Sequence, residues 1–243
     1  ENKAEFENVG QWKRAWYYPQ NGENMHEAVQ RESKAARDSA GILDASTLGK
    51  IDIQGTDASE FLNRVYTNAW SKLEIGKCRY GLMLNEDGMV YDDGVTTRLD
   101  ENHYIMTTTT GGAATVLGKL EDYLQTEWPE LDVYLTSVTD HYATISVCGP
   151  NSKKIIQKVI PEIDLSDKDF PHMSFKNSKI GKVKCRVMRI SFTGEQSYEI
   201  NIQANYAKSV WENCMEAGKE FNITPYGTET MHLLRAEKGF IIA

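Results

Sequence analysis

A weak internal duplication restricts the fold of this sequence more than any other feature. It lies in the order of apolar segments and turn residues, not in residue identities. One copy starts with an apolar strand at residues 50–54, and the other starts with a similar strand at residues 142–147. In both copies a glycine follows, then a segment with apolar residues at helical spacing, which Asp57 is predicted to cap in the first copy. The chain therefore predicts two related units.

The first copy continues with two strands, a helix and a third strand. Predicted strands at residues 80–85 and 89–99 flank Glu86-Asp87-Gly88, whose Asp-Gly pair suits a tight hairpin. A helix over residues 113–124 and a strand over residues 132–138 complete this copy.

The second copy repeats this order. A helix follows Pro150, and predicted strands at residues 182–192 and 197–202 flank the turn Thr193-Gly194-Glu195. Another amphipathic helix and an extended segment near Ile223 end the copy. Each copy is read as β-α-β-β-α-β, a ferredoxin-like order, which predicts an α+β protein with antiparallel sheets.

The duplication divides the chain into three parts. Residues 48–140 and 141–243 are the two copies, and we expect residues 1–47 to pack with the second copy. This N-terminal part contains a predicted helix at residues 24–38, behind aromatic residues that suit either a core or a ligand-facing surface. Because the last residues are apolar and end without a cap, we expect a chain cut short at its C-terminus.

Composition argues against several classes of protein. The net charge of −8 and the scattered lysines and arginines make nucleic acid a poor partner. No apolar run reaches the roughly 20 residues that span a bilayer, so a soluble, cytoplasmic protein without membrane contact is expected. The four cysteines are widely spaced, which predicts reduced, structural thiols and no metal site. Motifs for nucleotide binding and serine hydrolysis are not found.

Two adjacent carboxylates, Asp92 and Asp93, open a strand that is otherwise apolar, directly after the predicted hairpin. Side chains alternate along a strand, so only one of the two faces a given side. Asp93 has two interpretations. It is either an acid that works on a ligand, or a structural acid that accepts backbone N–H groups or pairs with Arg79 or Arg98. The sequence alone favours the structural interpretation.

Glu199 is predicted to occupy the duplicated position in the second copy. In the ligand-binding interpretation the two acids converge on one cleft, where Glu199 accepts N–H donors of a pterin-like ring and Asp93 works on an amine. An exposed acid at a sheet edge, paired with a lysine or arginine, is an interpretation of equal weight. Tyr80 and Phe192 precede the two turns and suit stacking on a flat ligand, although core packing is the default for Phe192.

The motifs together resemble a known family, the aminomethyltransferase (T-protein) superfamily. The blocks that carry the resemblance are ARDSAGILDAS (36–46), FLNRVYTN (61–68), YGLMLNEDG (80–88), FTGE (192–195) and LRAEKG (234–239). Within the superfamily, VGQWKR (9–14) and ASTLGK (45–50) resemble the alpha subunits of heterotetrameric sarcosine oxidases. T-proteins usually have His-Met where this chain has Thr47-Leu48.

The resemblance implies a folate-binding fold that lacks its C-terminal β-barrel here and holds tetrahydrofolate in a central cleft. It implies that Asp93 is the catalytic acid near the folate amine and that Glu199 holds the pterin ring, with Tyr80 and Phe192 as further contacts. Two positions depart from the family. Phe192 stands where T-proteins commonly have tyrosine, and Met231 stands where they commonly have an arginine that positions the cofactor.

The resemblance also implies a function in one-carbon metabolism. The one-carbon unit from sarcosine oxidation would be captured as 5,10-methylenetetrahydrofolate, with the other sarcosine oxidase subunits as partners. Flavins and NAD are expected only in other parts of the holoenzyme, so this region alone is expected to lack oxidase activity. Two alternatives stay open: a free-standing aminomethyltransferase or folate-dependent demethylase, and a non-catalytic scaffold with the same fold.

Overall fold

The computed structural model describes residues 3–243, which form two compact units. The six-stranded unit, named for its main sheet, contains the chain up to Thr47 together with Tyr142–His172 and Lys176–Ile241. The five-stranded unit contains Leu48–His141, with two short segments at residues 173–175 and 242–243. Each unit is therefore assembled from separate stretches of the chain.

The structure of residues 3–243 contains thirteen strands and six α-helices. The strands are β1 (Glu5–Val9), β2 (Trp12–Tyr17), β3 (Gly41–Asp44), β4 (Gly49–Gln54), β5 (Cys78–Leu84), β6 (Val90–Asp100), β7 (His103–Thr108), β8 (Tyr134–Ser137), β9 (Tyr142–Cys148), β10 (Ser174–Ile180), β11 (Val183–Arg189), β12 (Ser197–Gln203) and β13 (Thr224–Pro225). The helices are α1 (Met25–Asp38), α2 (Ala58–Val65), α3 (Ala113–Asp122), α4 (Ser152–Val159), α5 (Ala207–Gly218) and α6 (Thr228–Glu237).

The two main sheets share one connectivity, which confirms the predicted α+β fold with antiparallel sheets. The strand order is β5-β6-β7-β4-β8 in one sheet and β10-β11-β12-β9-β3-β13 in the other. Apart from β3, which is inserted between β9 and β13, the two orders correspond strand for strand. Each copy has one strand more than predicted, β7 in the first and β10 in the second, so the repeat is β-α-β-β-β-α-β.

The additional strands change one predicted correspondence. Glu199 lies on β12, and the counterpart of β12 in the five-stranded sheet is β7. Asp93 lies on β6, whose counterpart is β11. The prediction that Glu199 occupies the duplicated position is therefore wrong, because the sequence does not reveal β7 and β10.

The five-stranded sheet buries one face under α2 and α3. Ile51 and Ile53 alternate along β4 and are 2% and 0% exposed. They pack with apolar residues of both helices and of neighbouring strands, including Phe61, Leu62, Met106, Val116 and Leu120. The apolar periods of strand and helix thus meet in one core.

The start of α2 differs from the prediction in its detail. Asp57 occupies the N-terminal cap position, but its side chain makes no cap hydrogen bond to the helix. The Asp57 carboxylate instead accepts from the backbone N–H of Asp132 at 2.9 Å. The predicted cap is therefore wrong, because a contact to a distant segment takes its place.

The six-stranded sheet buries one face under α4 and α5. Its core contains apolar residues of β9, β11 and β12 together with residues of both helices, among them Ile145, Val187, Ile200, Ile156 and Val210. Side chains on the opposite face of β9 and β12 are more polar, because the alternate positions of these strands carry serine, threonine, asparagine and glutamate.

The N-terminal part of the chain joins the six-stranded unit through β3 and through a buried acid. Glu32 of α1 is 0% exposed. It accepts hydrogen bonds from the backbone N–H groups of Tyr18 at 2.7 Å and Gly227 at 3.0 Å, and from the hydroxyl of Thr230 at 2.6 Å. These contacts tie α1 to the end of the β1–β2 hairpin and to the start of α6.

Candidate functional site

The β5–β6 hairpin positions Tyr80 and Asp93. Gly88 adopts a φ of 81° in the turn and donates its N–H to Asn85 O at 2.9 Å. Leu82 pairs with Asp93 across the hairpin, so Tyr80, two residues before Leu82, lies on the same face as Asp93. The Tyr80 hydroxyl donates to Asp93 Oδ2 at 2.7 Å. Two of the four predicted site residues are therefore in direct contact.

Tyr80 and Asp93 form a hydrogen-bonded pair in which Tyr80 is the donor and Asp93 is the acceptor. Asp93 is 6% exposed. Burial of Tyr80, followed by its hydrogen bond to Asp93, raises the pKa of Tyr80 above its ordinary value of 10.0. The phenol therefore keeps its proton at neutral pH. Asp93 Oδ1 also accepts from the backbone N–H of Ala243 at 3.4 Å.

The arginines considered as partners of Asp93 bind backbone carbonyl groups instead. Arg79 donates to Ala69 O at 2.6 Å, and Arg98 donates to Leu73 O at 2.8 Å. The interpretation in which Arg79 or Arg98 pairs with Asp93 is therefore wrong. Tyr80 provides the side-chain contact to Asp93 in its place.

Asp92 lies on the other face of β6 and was assigned no role by the sequence. It is 3% exposed, and both of its carboxylate oxygens lie 3.3 Å from the backbone N of Thr109. Burial raises the pKa of Asp92, the hydrogen bonds from Thr109 oppose this, and the charge of Asp93 adds to it. A Cβ on Gly112, just before α3, would lie 3.1 Å from Asp92 Oδ1. The sequence feature that could have indicated this contact is the segment Thr110-Gly111-Gly112, shortly after β7.

Glu199 lies on β12, which is an interior strand between β11 and β9. In register it is paired with Ser146 of β9 and Met188 of β11. Its half-buried side chain is on the face opposite the core residues Tyr198 and Ile200. The interpretation of Glu199 as an acid at a sheet edge is therefore wrong, and its role toward a pterin stays a prediction.

A polar row accompanies Glu199 on this face of the six-stranded sheet. Ser146 Oγ lies 3.3 Å from Ser197 Oγ. Thr144 Oγ1 donates to Asn201 Oδ1 at 3.0 Å. Buried hydroxyl and amide groups therefore flank Glu199 on this face.

Tyr226 is a further buried polar group in the same unit. It is 1% exposed, and its hydroxyl lies 3.6 Å from the Sγ of Cys148. Burial, then the neighbouring Cys148, then the charge of Glu199 raise the pKa of Tyr226. Its neighbours Pro225 and Gly227 are typical of a turn, so the sequence carries no signal for a buried phenol here.

Phe192 lies outside a strand, because β11 ends at Arg189 instead of continuing to residue 192 as predicted. Its ring is half-buried. The predictions that Phe192 and Tyr80 contact folate stay predictions.

Met231 and His232 are neighbours on α6. Met231 packs against a small apolar cluster of the six-stranded unit. Burial, and then the nearby Arg14, lower the pKa of His232.

Arg37 of α1 holds the turn between β11 and β12. Its Nη1 donates to Thr193 O at 2.6 Å and to Glu195 Oε1 at 2.8 Å. Its Nη2 donates to Leu234 O and to Glu237 Oε2, both at 2.8 Å. One guanidinium group therefore fixes this turn against two helices, and the turn joins the strand of Glu199 to the segment of Phe192.

Other kinds of site receive no support from residues 3–243. Within them, no group of three or more His, Cys, Asp or Glu side chains is arranged to hold a metal ion. None of the helices found there is long and apolar enough to cross a membrane. The four cysteines are buried free thiols.

Comparison with known proteins places these features in a family. The model of the GCVT N-terminal domain matches residues 1–243. The sarcosine oxidase subunit alpha of Corynebacterium sp. (strain U-96) is 60% identical over 240 residues, which cover 98% of this chain and 25% of that protein. The chain thus spans about a quarter of the length of this relative.

Two further likenesses involve aminomethyltransferases. The aminomethyltransferase of Thermoanaerobacter sp. (strain X514) is 32% identical over 214 residues, or 88% of this chain and 56% of that protein. The crystal structure of glycine cleavage system aminomethyltransferase T from Bartonella henselae gives a TM-score of 0.81 at 22% identity, covering 99% of this chain and 60% of that chain. The structural likeness shows a shared fold.

Proposed function

The chain belongs to the family of GCVT N-terminal domains, and on that premise we propose that it is the tetrahydrofolate-binding region of a sarcosine oxidase alpha subunit. The 60% identity to such a subunit supports this choice within the family. Because the chain spans a quarter of that relative, the proposal assigns oxidation of the amine to other parts of the full protein. The other oxidase subunits are then its partners.

The contact between Tyr80 and Asp93 carries the proposal. A carboxylate that is 6% exposed on an interior strand is costly unless hydrogen bonds or a ligand satisfy it. The Tyr80 hydroxyl occupies one side of Oδ2 and orients the carboxylate. A carboxylate has about four lone-pair sites, so Asp93 retains acceptor capacity for the N–H of a bound amine.

Glu199 is assigned to the pterin ring of the proposed ligand. A pterin ring presents neighbouring N–H donors, and a carboxylate accepts two of them at once. Glu199 is half-buried on a polar sheet face, so its carboxylate is not sealed in the core. We assign it the recognition of the ring, with Tyr80 and Phe192 as aromatic contacts.

Asp93 is assigned the proton transfer. Tetrahydrofolate, when bound, would supply the two amines that bond to the transferred carbon to give 5,10-methylenetetrahydrofolate, while the group that carried this carbon leaves and the amine protons are released. Asp93 accepts or relays the amine proton, and Tyr80 keeps its carboxylate in one orientation. General base catalysis by one positioned carboxylate typically contributes about 10²–10⁴ in rate.

Calorimetric titration of the chain with tetrahydrofolate under reducing, anaerobic conditions tests the binding. We expect saturable binding that Glu199→Gln weakens at least about tenfold, because the amide no longer accepts two N–H donors with a full charge. Glu121→Gln, an exposed acid on α3, is the control and is expected to bind like the wild type. A folded wild-type chain that does not bind tetrahydrofolate would favour the scaffold alternative.

Turnover of the full-length oxidase tests the role of Asp93. We expect Asp93→Asn to retain tetrahydrofolate binding and to lose about 10²–10⁴ in folate-dependent product formation. Sarcosine oxidation without folate is the internal control, because it does not need Asp93 under this proposal. Full folate-dependent turnover in Asp93→Asn would remove Asp93 from the mechanism.

The 32% identity to an aminomethyltransferase supports a second candidate. A free-standing aminomethyltransferase or folate-dependent demethylase would use the same residues on a substrate delivered in solution or on a carrier protein. Folate-dependent release of an amine by this chain alone, without other oxidase subunits, would favour this candidate. The main proposal predicts no such release.

A further inference from the structure

The hairpin of β10 and β11 is strongly basic in an acidic chain. Residues 174–190 contain four lysines and two arginines and no aspartate or glutamate. The chain as a whole has a net charge of −8. A concentration of like charge raises the local potential and attracts anions.

A cavity of about 820 Å³ lies beside this hairpin in the six-stranded unit. Its volume is within the range of about 300–1,000 Å³ that is typical of small-molecule sites. Two acidic residues line it, Glu162 and Asp164, and both are exposed. Four of the six cations of the hairpin also line it, namely Lys176, Lys179, Lys184 and Arg186.

Asn201 gives an independent indication of a ligand. It lines the cavity, is 5% exposed and is paired in register with Arg186. Its Oδ1 accepts from Thr144, whereas its Nδ2 has no hydrogen-bond partner among residues 3–243. A buried donor without an acceptor is unfavourable, and an acceptor group supplied by a ligand would satisfy it.

We propose that this cavity binds a small anion with two or more carboxylate or phosphate groups. Ammonium, guanidinium and amide groups are all donors, and charged donors bind such oxygens strongly. Lys176 Nζ donates to Asp164 O at 3.0 Å, which fixes that amine at the side of the cavity. The anion site goes beyond the proposed folate function and does not require it.

The anionic groups have two possible sources. Asn201 and Glu199 are two residues apart on the same face of β12, which separates them by about 7 Å along the strand. A free polyanion fills the cavity alone, whereas an acidic group of a larger ligand that also contacts Glu199 extends into it. Both sources present the same oxygens to the same cations.

Calorimetric titration of the chain with citrate and with inorganic pyrophosphate tests the proposal. We expect saturable binding of at least one probe with one site per chain. The double variant Lys179→Met with Lys184→Met is expected to weaken it at least about tenfold, through loss of two charge-assisted donors. Both lysines are exposed, so the variant is expected to keep the wild-type fold, which a thermal melt checks.

The control variant removes the same charge elsewhere. Lys208→Met with Lys219→Met takes two exposed lysines from the α5 region and is expected to bind both probes like the wild type. Equal weakening in this control would reduce the effect to overall charge and overturn the proposal. Absence of saturable binding at millimolar probe would also overturn it.

Competition identifies the source of the anionic groups. If tetrahydrofolate prevents citrate or pyrophosphate binding in the wild type, and Glu199→Gln removes that competition, the cavity overlaps the site at Glu199 and the anion belongs to a ligand that contacts both. If the probe binds equally well with and without tetrahydrofolate, the cavity holds a separate anion. If the wild-type chain binds the probe but does not bind tetrahydrofolate, the folate proposal is contradicted and the anion site remains supported.

Discussion

Asp92 and Asp93 show how a step of one residue changes the environment of a carboxylate. Alternation along β6 places Asp93 beside the hydroxyl of Tyr80 and Asp92 beside the backbone N–H of Thr109. Both side chains are buried, with Asp93 6% exposed and Asp92 3% exposed. Asp92 is a structural acid near the start of α3, whereas Asp93 is available on the face that we assign to the ligand.

Replacement of Asp92 by asparagine tests this division through its pH dependence. Burial raises the pKa of Asp92 above its ordinary value of 3.8, so the folded protein binds this proton more tightly than the unfolded chain does. The contribution of Asp92 to the unfolding free energy is therefore largest below pH 3.8, its pKa in the unfolded chain. It falls as pH rises from there through the higher pKa of Asp92 in the folded protein. We expect Asp92→Asn to gain stability relative to the wild type between low pH and pH 7, measured by urea unfolding.

Asp122→Asn is the matched control, because Asp122 is an exposed acid on α3. Its stability difference from the wild type is expected to change little with pH. If Asp92→Asn instead loses stability relative to the wild type as pH rises, the Asp92 carboxylate is stabilised by its partners more than it is penalised by burial.

At the scale of elements, β7 and β10 are among the strands that the sequence does not reveal, and both have atypical burial. β10 is an edge strand whose lysines, asparagine and serines leave no apolar alternation to recognise. β7 is an interior strand with neighbouring buried residues at Tyr104, Ile105 and Met106, so it lacks the period of two. Helices α1 to α5 and the strands around the glycine turns follow local patterns and were predictable.

Within the candidate site, the placement of Tyr80 beside Asp93 has a local basis in the sequence, although the contact itself was not predicted. The turn Glu86-Asp87-Gly88 fixes the register that sets Tyr80 beside Asp93, and these motifs are local. Tyr226 is different, since its position depends on β13 pairing with β3 more than 180 residues earlier in the chain. Contacts over such separations have no local signature in one sequence, which is why Tyr226 was missed.

Arg37 carries a prediction about how elements are joined. We expect Arg37→Ala to lower the unfolding free energy by about 1.5–3 kcal/mol, because it removes charge-assisted hydrogen bonds to the turn at Thr193 and to α6. Arg37→Lys is expected to restore only part of this, since an ammonium group does not reproduce the planar donors of a guanidinium. Denaturant unfolding measures both.

Arg64 provides a control for Arg37, because each arginine pairs with two glutamates. It also contacts two glutamates, Glu60 and Glu130, but on an exposed surface and without a backbone carbonyl partner in the described contacts. We expect Arg64→Ala to cost clearly less unfolding free energy than Arg37→Ala, as is usual for surface ion pairs. Equal losses in Arg37→Ala and Arg64→Ala would show that the turn is not held by Arg37.

At the scale of the whole molecule, each unit has its own hydrophobic core. Ile156 of α4 belongs to the core of the six-stranded unit, and Leu62 of α2 belongs to the core of the five-stranded unit. Both side chains are 0% exposed. The chain forms most of the five-stranded unit between Leu48 and His141 and then completes the other core. The two cores are therefore separate although the chain is continuous.

Separate cores predict separate responses to mutation. Ile156→Ala and Leu62→Ala each delete buried methyl and methylene groups, which typically costs about 2–5 kcal/mol. We expect Ile156→Ala to lower the hydrogen-exchange protection of β9 and β12 amides by that amount and to leave β4 and β7 amides protected. Leu62→Ala is the reciprocal control, with the opposite pattern. If either substitution lowers protection equally in both sheets, the two cores unfold as one cooperative unit. In that case a substitution in one unit also destabilises the other. Its effect on ligand binding there can be interpreted only at a stability matched to that of the wild type.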